Sequence, residues 1–520
     1  MKRIQVFDTT LRDGSQQVGV SFSVHDKLAI VRKLDPLEIY IEGGYPGSNP
    51  KDREFFEALR QEPLKHSKLV AFGKTCSKGK SPGDDEELTR LLETQTEFVA
   101  IVGKSSRYQV EAVLRISAEE NLRIIKETCS FLVGRGRQVF FDAEHFFDGF
   151  CEDAEYSLEC LRAAAREGAS MIVLCDTNGG SLPDRIASGV KAAKRAVATP
   201  IGIHCHDDSN LAVANSLAAV DAGATQVQVT VNGYGERCGN ADMASVVANL
   251  QLKKGYRCFS EESLRGLTKL ARYVAEIANL SLSHSKAFVG KNAFCDKAGL
   301  HASASARAGL SYKHIDPSAV GNTSSTAVSE LAGRSNILLK VQEFGLPMSE
   351  QEILRVLTQV ETLESRGFQF DVADASLFLL MLRFKEGYSA PFRVVYSDVR
   401  SQTMGDEGSV HSANVKIELN NGKHDVSYEA AEGDGPVNAF DVALRKALSL
   451  PYPYIANVIL TDYKVRVLDG GKGSAKSVRI LIDFSDGTAE WTTVGCAPSL
   501  TEASKVALID GLEYAIVRAQ

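Results

Sequence analysis

No Cys-x-x-Cys pair occurs in this chain, although it carries ten cysteines. At 520 residues the chain can bury large cores without covalent staples, so single cysteines read as reduced core or site residues. Cys205 and Cys238 lie closest to the polar motifs described below and are expected to be the oxidation-sensitive ones. A basic excess is also missing. The 59 Lys and Arg are outnumbered by 66 Asp and Glu, giving a formal charge of −7, and the cations are scattered, which leaves no footprint for nucleic acid. No apolar run reaches the roughly 20 residues a membrane helix needs. The opening Met1-Lys2-Arg3-Ile4-Gln5-Val6-Phe7-Asp8 enters strand-like sequence without a signal-peptide pattern. A cytoplasmic protein with small-molecule partners, not nucleic acid or membrane, is the expectation.

An apolar share of 44% over this length calls for two or three domains. Across the first 280 or so residues, short apolar runs alternate with helical patterns at 4–8, 38–41, 68–72, 98–102, 138–141, 171–175, 201–204 and 226–229. Eight strand-plus-helix units in this length predict an α/β fold, a (β/α)8 TIM barrel with its site at the C-terminal strand ends; a doubly wound sheet is the runner-up. Ser23-Val24-His25-Asp26 has the signature of a helix start, with an acid three residues after the cap. From about residue 282 the alternation gives way to a Gly-, Ala- and Ser-rich stretch and then helical sequence through Phe384, opened in part by Ser349-Glu350-Gln351-Glu352. Beyond Phe392 a separate α+β domain is predicted, with strands at 393–396, 413–419, 458–467 and 477–484 and helices at 438–447 and 500–518. The expected division is a catalytic barrel over 1–280, a linker region over 281–388 and a C-terminal domain over 389–520. No repeat is evident, and the last domain shows no cluster of acids, bases or ligands, which favours regulation or assembly there.

Chemistry gathers in three stretches. In Ile201-Gly202-Ile203-His204-Cys205-His206-Asp207-Asp208, residues two apart on a strand share a face, so His204 and His206 leave its end toward one point. Taken alone, two satisfied structural histidines explain that pattern as well as metal ligation does. In a closed barrel, however, the first strand neighbours the eighth. The loop bearing Asp13 in Thr9-Thr10-Leu11-Arg12-Asp13-Gly14 and the loop bearing Asn240 in Gly235-Glu236-Arg237-Cys238-Gly239-Asn240 then flank the histidines. A carboxylate, two imidazoles and an amide oxygen suit a divalent cation without choosing between Mg, Mn, Zn and Co.

Arg12, which keeps its charge, could stabilise oxygen charge developing beside such a cation, or simply form a surface ion pair. Glu144, in Phe140-Phe141-Asp142-Ala143-Glu144-His145-Phe146-Phe147, is expected to sit among phenylalanines that raise its pKa and suit it to proton transfer, a structural acid being the alternative. Thr177 could bind a carboxylate or cap the following helix.

Asp8-Thr9-Thr10-Leu11-Arg12-Asp13-Gly14, His204-Cys205-His206 and Asn232-Gly233-Tyr234-Gly235-Glu236-Arg237-Cys238-Gly239-Asn240 together resemble the metal-dependent barrel family that includes 2-isopropylmalate, homocitrate and citramalate synthases. Glu42-Gly43-Gly44-Tyr45-Pro46-Gly47, Asp142-Ala143-Glu144-His145-Phe146-Phe147-Asp148-Gly149 and Ser329-Glu330-Leu331-Ala332-Gly333-Arg334 place the resemblance in its citramalate synthase branch. The resemblance implies an acyltransferase joining acetyl-CoA to pyruvate and hydrolysing the thioester, in isoleucine biosynthesis. It implies metal ligation by Asp13, His204, His206 and Asn240, substrate contacts from Arg12 and Thr177, and Glu144 as base. His301 and Tyr312 would assist proton transfer, arriving from the partner subunit of a homodimer. The C-terminal part resembles the family's allosteric dimerisation domain, with isoleucine the expected effector. Two other readings are a 2-isopropylmalate synthase and an amino-acid sensor without catalysis. The chain departs from the family at Asp207, where Asn is usual, at Tyr45, where this branch commonly has Trp, and around Leu34-Asp35-Pro36, one residue short. Asp207 is expected to place an extra carboxylate near the cation.

Overall fold

The computed structural model describes residues 2–296, 312–326, 334–403, 408–420, 425–468 and 477–519. They form two compact units, Met1–Phe294 with Ile315–Ser324, and Cys295–His314 with Ser325–Gln520.

The first unit is built on β1 (Gln5–Asp8), β2 (Tyr40–Glu42), β3 (Lys68–Lys74), β4 (Phe98–Lys104), β5 (Gln138–Glu144), β6 (Met171–Asp176), β7 (Ile201–Cys205) and β8 (Gln226–Val229). The strands pair in chain order into a closed barrel, and β1 joins β8 in parallel from Gln5 opposite Gln226 to Asp8 opposite Val229. All eight predicted runs are strands, and the barrel, not the doubly wound sheet, is the fold. Helices fill the gaps as the pattern implied. In Val24–Leu34, the Ser23 hydroxyl accepts from the Asp26 amide while the Asp26 carboxylate accepts from the Ser23 amide, a complete capping box.

Strand alternation decides what faces the lumen. On β5, Val139, Phe141 and Ala143 pack outward under the helices, whereas Phe140 joins Phe7, Val70, Phe72, Met171 and Val173 in a separate interior cluster. Tyr40 packs edge-on against Phe98 and Phe140 with ring centroids 5.1 Å apart in both pairs, and each such pair adds about 1 kcal/mol beyond its buried area. These rings fill the lower lumen. On β7 the same period sends Ile201, Ile203 and Cys205 outward under the helices and leaves His204 on the opposite, inner side.

The second unit carries the helices Arg334–Glu343, Glu350–Ser365 and Asp374–Phe384, then two three-stranded antiparallel sheets. The first comprises β9 (Phe392–Thr403), β10 (Ser409–Leu419) and β11 (Val426–Gly433), followed by the helix Pro436–Ser449. The second comprises β12 (Ile459–Val467), β13 (Val478–Ser485) and β14 (Glu490–Ala497), followed by the helix Leu500–Ala519. The order β-β-β-α thus occurs twice, a repetition of structure that no repetition of sequence announces. Strands β11 and β14 went unpredicted. Val-Ser-Tyr-Glu-Ala-Ala-Glu-Gly carries helix-favouring Ala and Glu, and neither strand shows a strict apolar alternation.

Candidate active site

The turn after β1 is fixed before any ligand is considered. Asp8 accepts from the Thr10 amide at 3.2 Å and from its hydroxyl at 2.7 Å, and that hydroxyl in turn accepts from the Val231 amide at 2.8 Å. The loops after β1 and β8 are therefore bonded to each other, and burial lifts the enclosed Asp8 carboxyl to about 7.

Above this turn Asp13 meets the two histidines. His204 Nε2 lies 3.6 Å and His206 Nε2 3.9 Å from Asp13 Oδ2, all three side chains are buried, and one ligand atom from each lies within 4.8 Å of the others. Asn240 completes the ring. Its Nδ2 donates to Asp13 Oδ1 at 3.2 Å and to the Tyr234 carbonyl at 3.2 Å, while its buried Oδ1 has no hydrogen-bond partner among the described residues. Gly239 makes this loop possible: it stands at φ +96°, and a Cβ there would lie 2.1 Å from the Gly233 carbonyl oxygen.

Protonation favours ligation. Burial opposes the charge on Asp13, but Arg12 and then the imidazoles and Asn240 hold its carboxyl at about 2. Burial, then the neighbouring His206, depresses His204 to about 3, and burial likewise lowers His206, so both imidazoles are neutral and carry lone pairs at neutral pH. A buried carboxylate, two neutral imidazoles and an unpartnered amide oxygen fit a divalent cation.

Sequence reading passed over Gln228. Its Oε1 lies 2.9 Å from His204 Nδ1, and its Nε2 donates to Asp142 Oδ1 at 3.3 Å. Gln228 accepts the Nδ1 proton and thereby turns a bare Nε2 toward Asp13. The available signal was the Gln-Val-Gln-Val alternation of β8, which puts its glutamines on the face opposite the outward-packed valines. Gln228→Met removes the acceptor at nearly constant volume. It is expected to weaken divalent-metal affinity about 10- to 100-fold, read by titration calorimetry, with unfolding of the metal-free protein little changed.

Arg12, its side chain 13% exposed, lies beside the cluster. Its Nε donates to Glu42 Oε2 at 2.7 Å and its Nη1 to Asp13 Oδ2 at 3.1 Å, and the guanidinium lies 4.1 Å over the Phe72 ring. Burial works against this charge, yet Glu42 and Asp13 raise its pKa above the ordinary arginine value. Thr177 caps no helix: its hydroxyl accepts from the His145 amide at 2.8 Å, which leaves its own proton to donate. Glu144 is where the environment departs from expectation. Phe141, Phe146 and Phe147 pack outward under the helices and Phe140 lies lower in the lumen, so these four rings do not cage the carboxylate. Glu144 Oε2 instead pairs with Lys104 Nζ at 2.7 Å.

Residues 3–274 match the HMGL-like family model, 288–367 the homocitrate synthase post-HMGL domain-like model, and 371–516 the LeuA allosteric (dimerisation) domain. The (R)-citramalate synthase of Geobacter sulfurreducens is 43% identical over 524 residues, covering 100% of this chain and 99% of that protein. The chain belongs to the HMGL-like family, among the (R)-citramalate synthases. The (R)-citramalate synthase of Streptomyces coelicolor is 45% identical, covering 99% of this chain and 97% of that protein, whereas a probable 2-isopropylmalate synthase of Methanopyrus kandleri reaches 30% over 98% of both.

Within the HMGL-like family's pattern, the departures find local explanations. Asp207 Oδ1 accepts from the Ala212 amide at 2.8 Å, at the start of the helix Ala212–Ala222, and its own amide donates to the Gly239 carbonyl at 2.9 Å. Its carboxylate is spent on the helix start, so the expected extra charge at the cation is corrected. Asp208 instead pairs with Arg237 at 2.8 Å. Tyr45 packs edge-on against Phe72 at 5.4 Å and hydrogen-bonds Glu87. The helix before β2 ends at Leu34, ahead of Pro36, and Asp35 accepts from the amides of Lys65, His66 and Ser67. Cys205 is buried on the outward side of β7 with its thiol pushed well up by burial, which corrects its expected sensitivity to oxidation; Cys238 is exposed. His301 lies outside the described residues, and Tyr312 is exposed within the second unit.

Proposed function

We propose that this chain is an (R)-citramalate synthase, condensing acetyl-CoA with pyruvate and hydrolysing the thioester to (R)-citramalate and CoA in isoleucine biosynthesis. The observation that carries the reading is the full-length similarity to five (R)-citramalate synthases at 41–45% identity.

A divalent cation held by Asp13, His204, His206 and Asn240 would supply Lewis acidity toward the keto acid. Arg12, with its guanidinium fixed by Glu42 and Asp13, neutralises oxygen charge as the carbon–carbon bond forms. Thr177 donates its hydroxyl proton to the keto-acid carboxylate. Glu144 removes a proton from the acetyl methyl group, the C–H electron pair passing toward the thioester carbonyl and then into the new bond to the ketone carbon. Beside Glu144, a cavity of about 330 Å3 is lined by Lys74, Lys78 and Lys104 together with Val102, Leu114 and Ile116, which supports a long anionic ligand with an apolar arm such as acetyl-CoA. His301 and Tyr312 are assigned to proton transfer and hydrolysis from the partner subunit of a homodimer. The barrel over 1–280, the linker over 281–388 and the regulatory domain over 389–520 divide these tasks, with isoleucine as the effector of the last. No described helix is long and apolar enough to cross a membrane, in keeping with a cytoplasmic enzyme.

The test is thiol release from acetyl-CoA with a divalent metal and each 2-oxo acid in turn, with isoleucine then added to the active mixture. Turnover with pyruvate above all others supports the reading. Preference for 2-oxoisovalerate would make the chain a 2-isopropylmalate synthase, and no turnover with any acid would leave the sensor reading.

A further inference from the structure

Lys104 is a cation at the barrel mouth, on the wall of the cavity beside Glu144. It closes β4 in the register position directly opposite Glu144 at the end of β5. Side chains at paired register positions leave neighbouring strands on the same face. The two charged groups accordingly meet, Lys104 Nζ to Glu144 Oε2 at 2.7 Å, with the side chains 19% and 25% exposed. The backbones are joined as well, since the Ser105 amide donates to the Glu144 carbonyl at 2.9 Å.

The other lysines on this cavity wall are engaged elsewhere. Lys74 Nζ pairs with Glu87 at 3.0 Å, and Lys78 Nζ donates to the Arg115 carbonyl at 2.8 Å. Two further titratable side chains lie near Glu144. His145 Nε2 stands 4.0 Å from Glu144 Oε1, its Nδ1 lies 3.2 Å from Asp148 Oδ2, and Cys175 on β6 is a buried thiol.

We propose that Lys104 is a positioning residue for proton abstraction: it fixes the Glu144 carboxylate and aims it into the cavity. The proposal rests on Glu144 being the base of the reaction described above. A general base acts only when its oxygen is aimed at the proton, and an ammonium within hydrogen-bond distance fixes the carboxylate's rotamer. When the acetyl C–H bond breaks, the proton passes to Glu144 and the electron pair to the thioester. The ammonium stays charged throughout, and the lost carboxylate charge reappears on the thioester oxygen within the same cavity.

The test uses Lys104→Met, Lys104→Arg, Glu144→Gln and the Lys104→Met/Glu144→Gln pair in the full-length chain. Wild-type turnover of pyruvate comes first; if it is absent, the functional reading fails and Lys104 is not at issue. Given turnover, Lys104→Met should lower kcat about tenfold or more while the KM for acetyl-CoA changes less. It should slow exchange of the acetyl methyl protons with deuterated water in parallel. Lys104→Arg should restore most of both. In the Glu144→Gln background the Lys104→Met change should add little, because a residue acting through another shows no separate effect once that other is gone. A loss in Lys104→Met confined to the KM for acetyl-CoA, or one that adds in full to Glu144→Gln, would overturn the proposal.

Discussion

Asparagine at position 13 is expected to stop the reaction while leaving the barrel folded. Asp13 is the only anionic member of the candidate ligand set, and its Oδ2 faces both imidazoles at 3.6 and 3.9 Å. Asparagine keeps the shape but removes the charge. Loss of the Lewis acid costs several kcal/mol of barrier, which at 1.36 kcal/mol per decade is about 10³-fold or more in kcat. The metal-free protein should lose little stability, since the remaining contact to Arg12 is one of two that the guanidinium makes. A ligand that binds only the folded state raises the melting temperature by mass action. Added manganese should therefore raise Tm in the wild type and shift it far less in Asp13→Asn. A variant that keeps both the metal-induced shift and pyruvate-dependent thiol release would remove Asp13 from the site.

Arg12→Met is expected to damage stability and catalysis together, and a second substitution should separate the two. Glu42 is fully buried; its Oε2 accepts from Arg12 and, at 2.5 Å, from the Thr9 hydroxyl, while its Oε1 has no partner among the described residues. Removing Arg12 leaves that carboxylate without its cation, an uncompensated buried charge that costs about 3–5 kcal/mol. Urea unfolding should report this as a lowered midpoint. Arg12→Met/Glu42→Gln removes both charges and should recover most of the stability. Turnover should not return, because the guanidinium that faces developing oxygen charge is still missing, a loss of roughly 10²- to 10³-fold. If the double variant recovers activity along with stability, Arg12 serves only to neutralise Glu42.

The barrel was legible because its eight strands are short apolar runs separated by capped helices, and closure follows from counting them. The ligand set was legible for the same reason: once β1 is known to touch β8, Asp13 and Asn240 become neighbours of His204 and His206. What escaped was side-chain direction. Four phenylalanines around Glu144 suggest an apolar pocket only until alternation along β5 is applied, which sends Phe141 outward and leaves Lys104 across the strand gap. Gln228 escaped because its meaning depends on a hydrogen bond to a residue on another strand. Asp207 looked like a ligand beside two ligands, but its carboxylate is taken by the helix that begins at Ala212. Strands β11 and β14 escaped because their pairing partners, more than their own residues, make them strands.

The hydrogen bond from Asn240 to Asp13 spans 227 residues of chain. Contacts of such separation form late in folding, after the intervening chain has been ordered. An N-terminal fragment ending between His206 and Asn240 therefore carries Asp13 and both histidines yet lacks the amide that completes the ring. Affinity for a divalent cation is then tied to the last ring-closing event, so metal uptake during refolding should lag the growth of helical signal and time the sealing of the barrel.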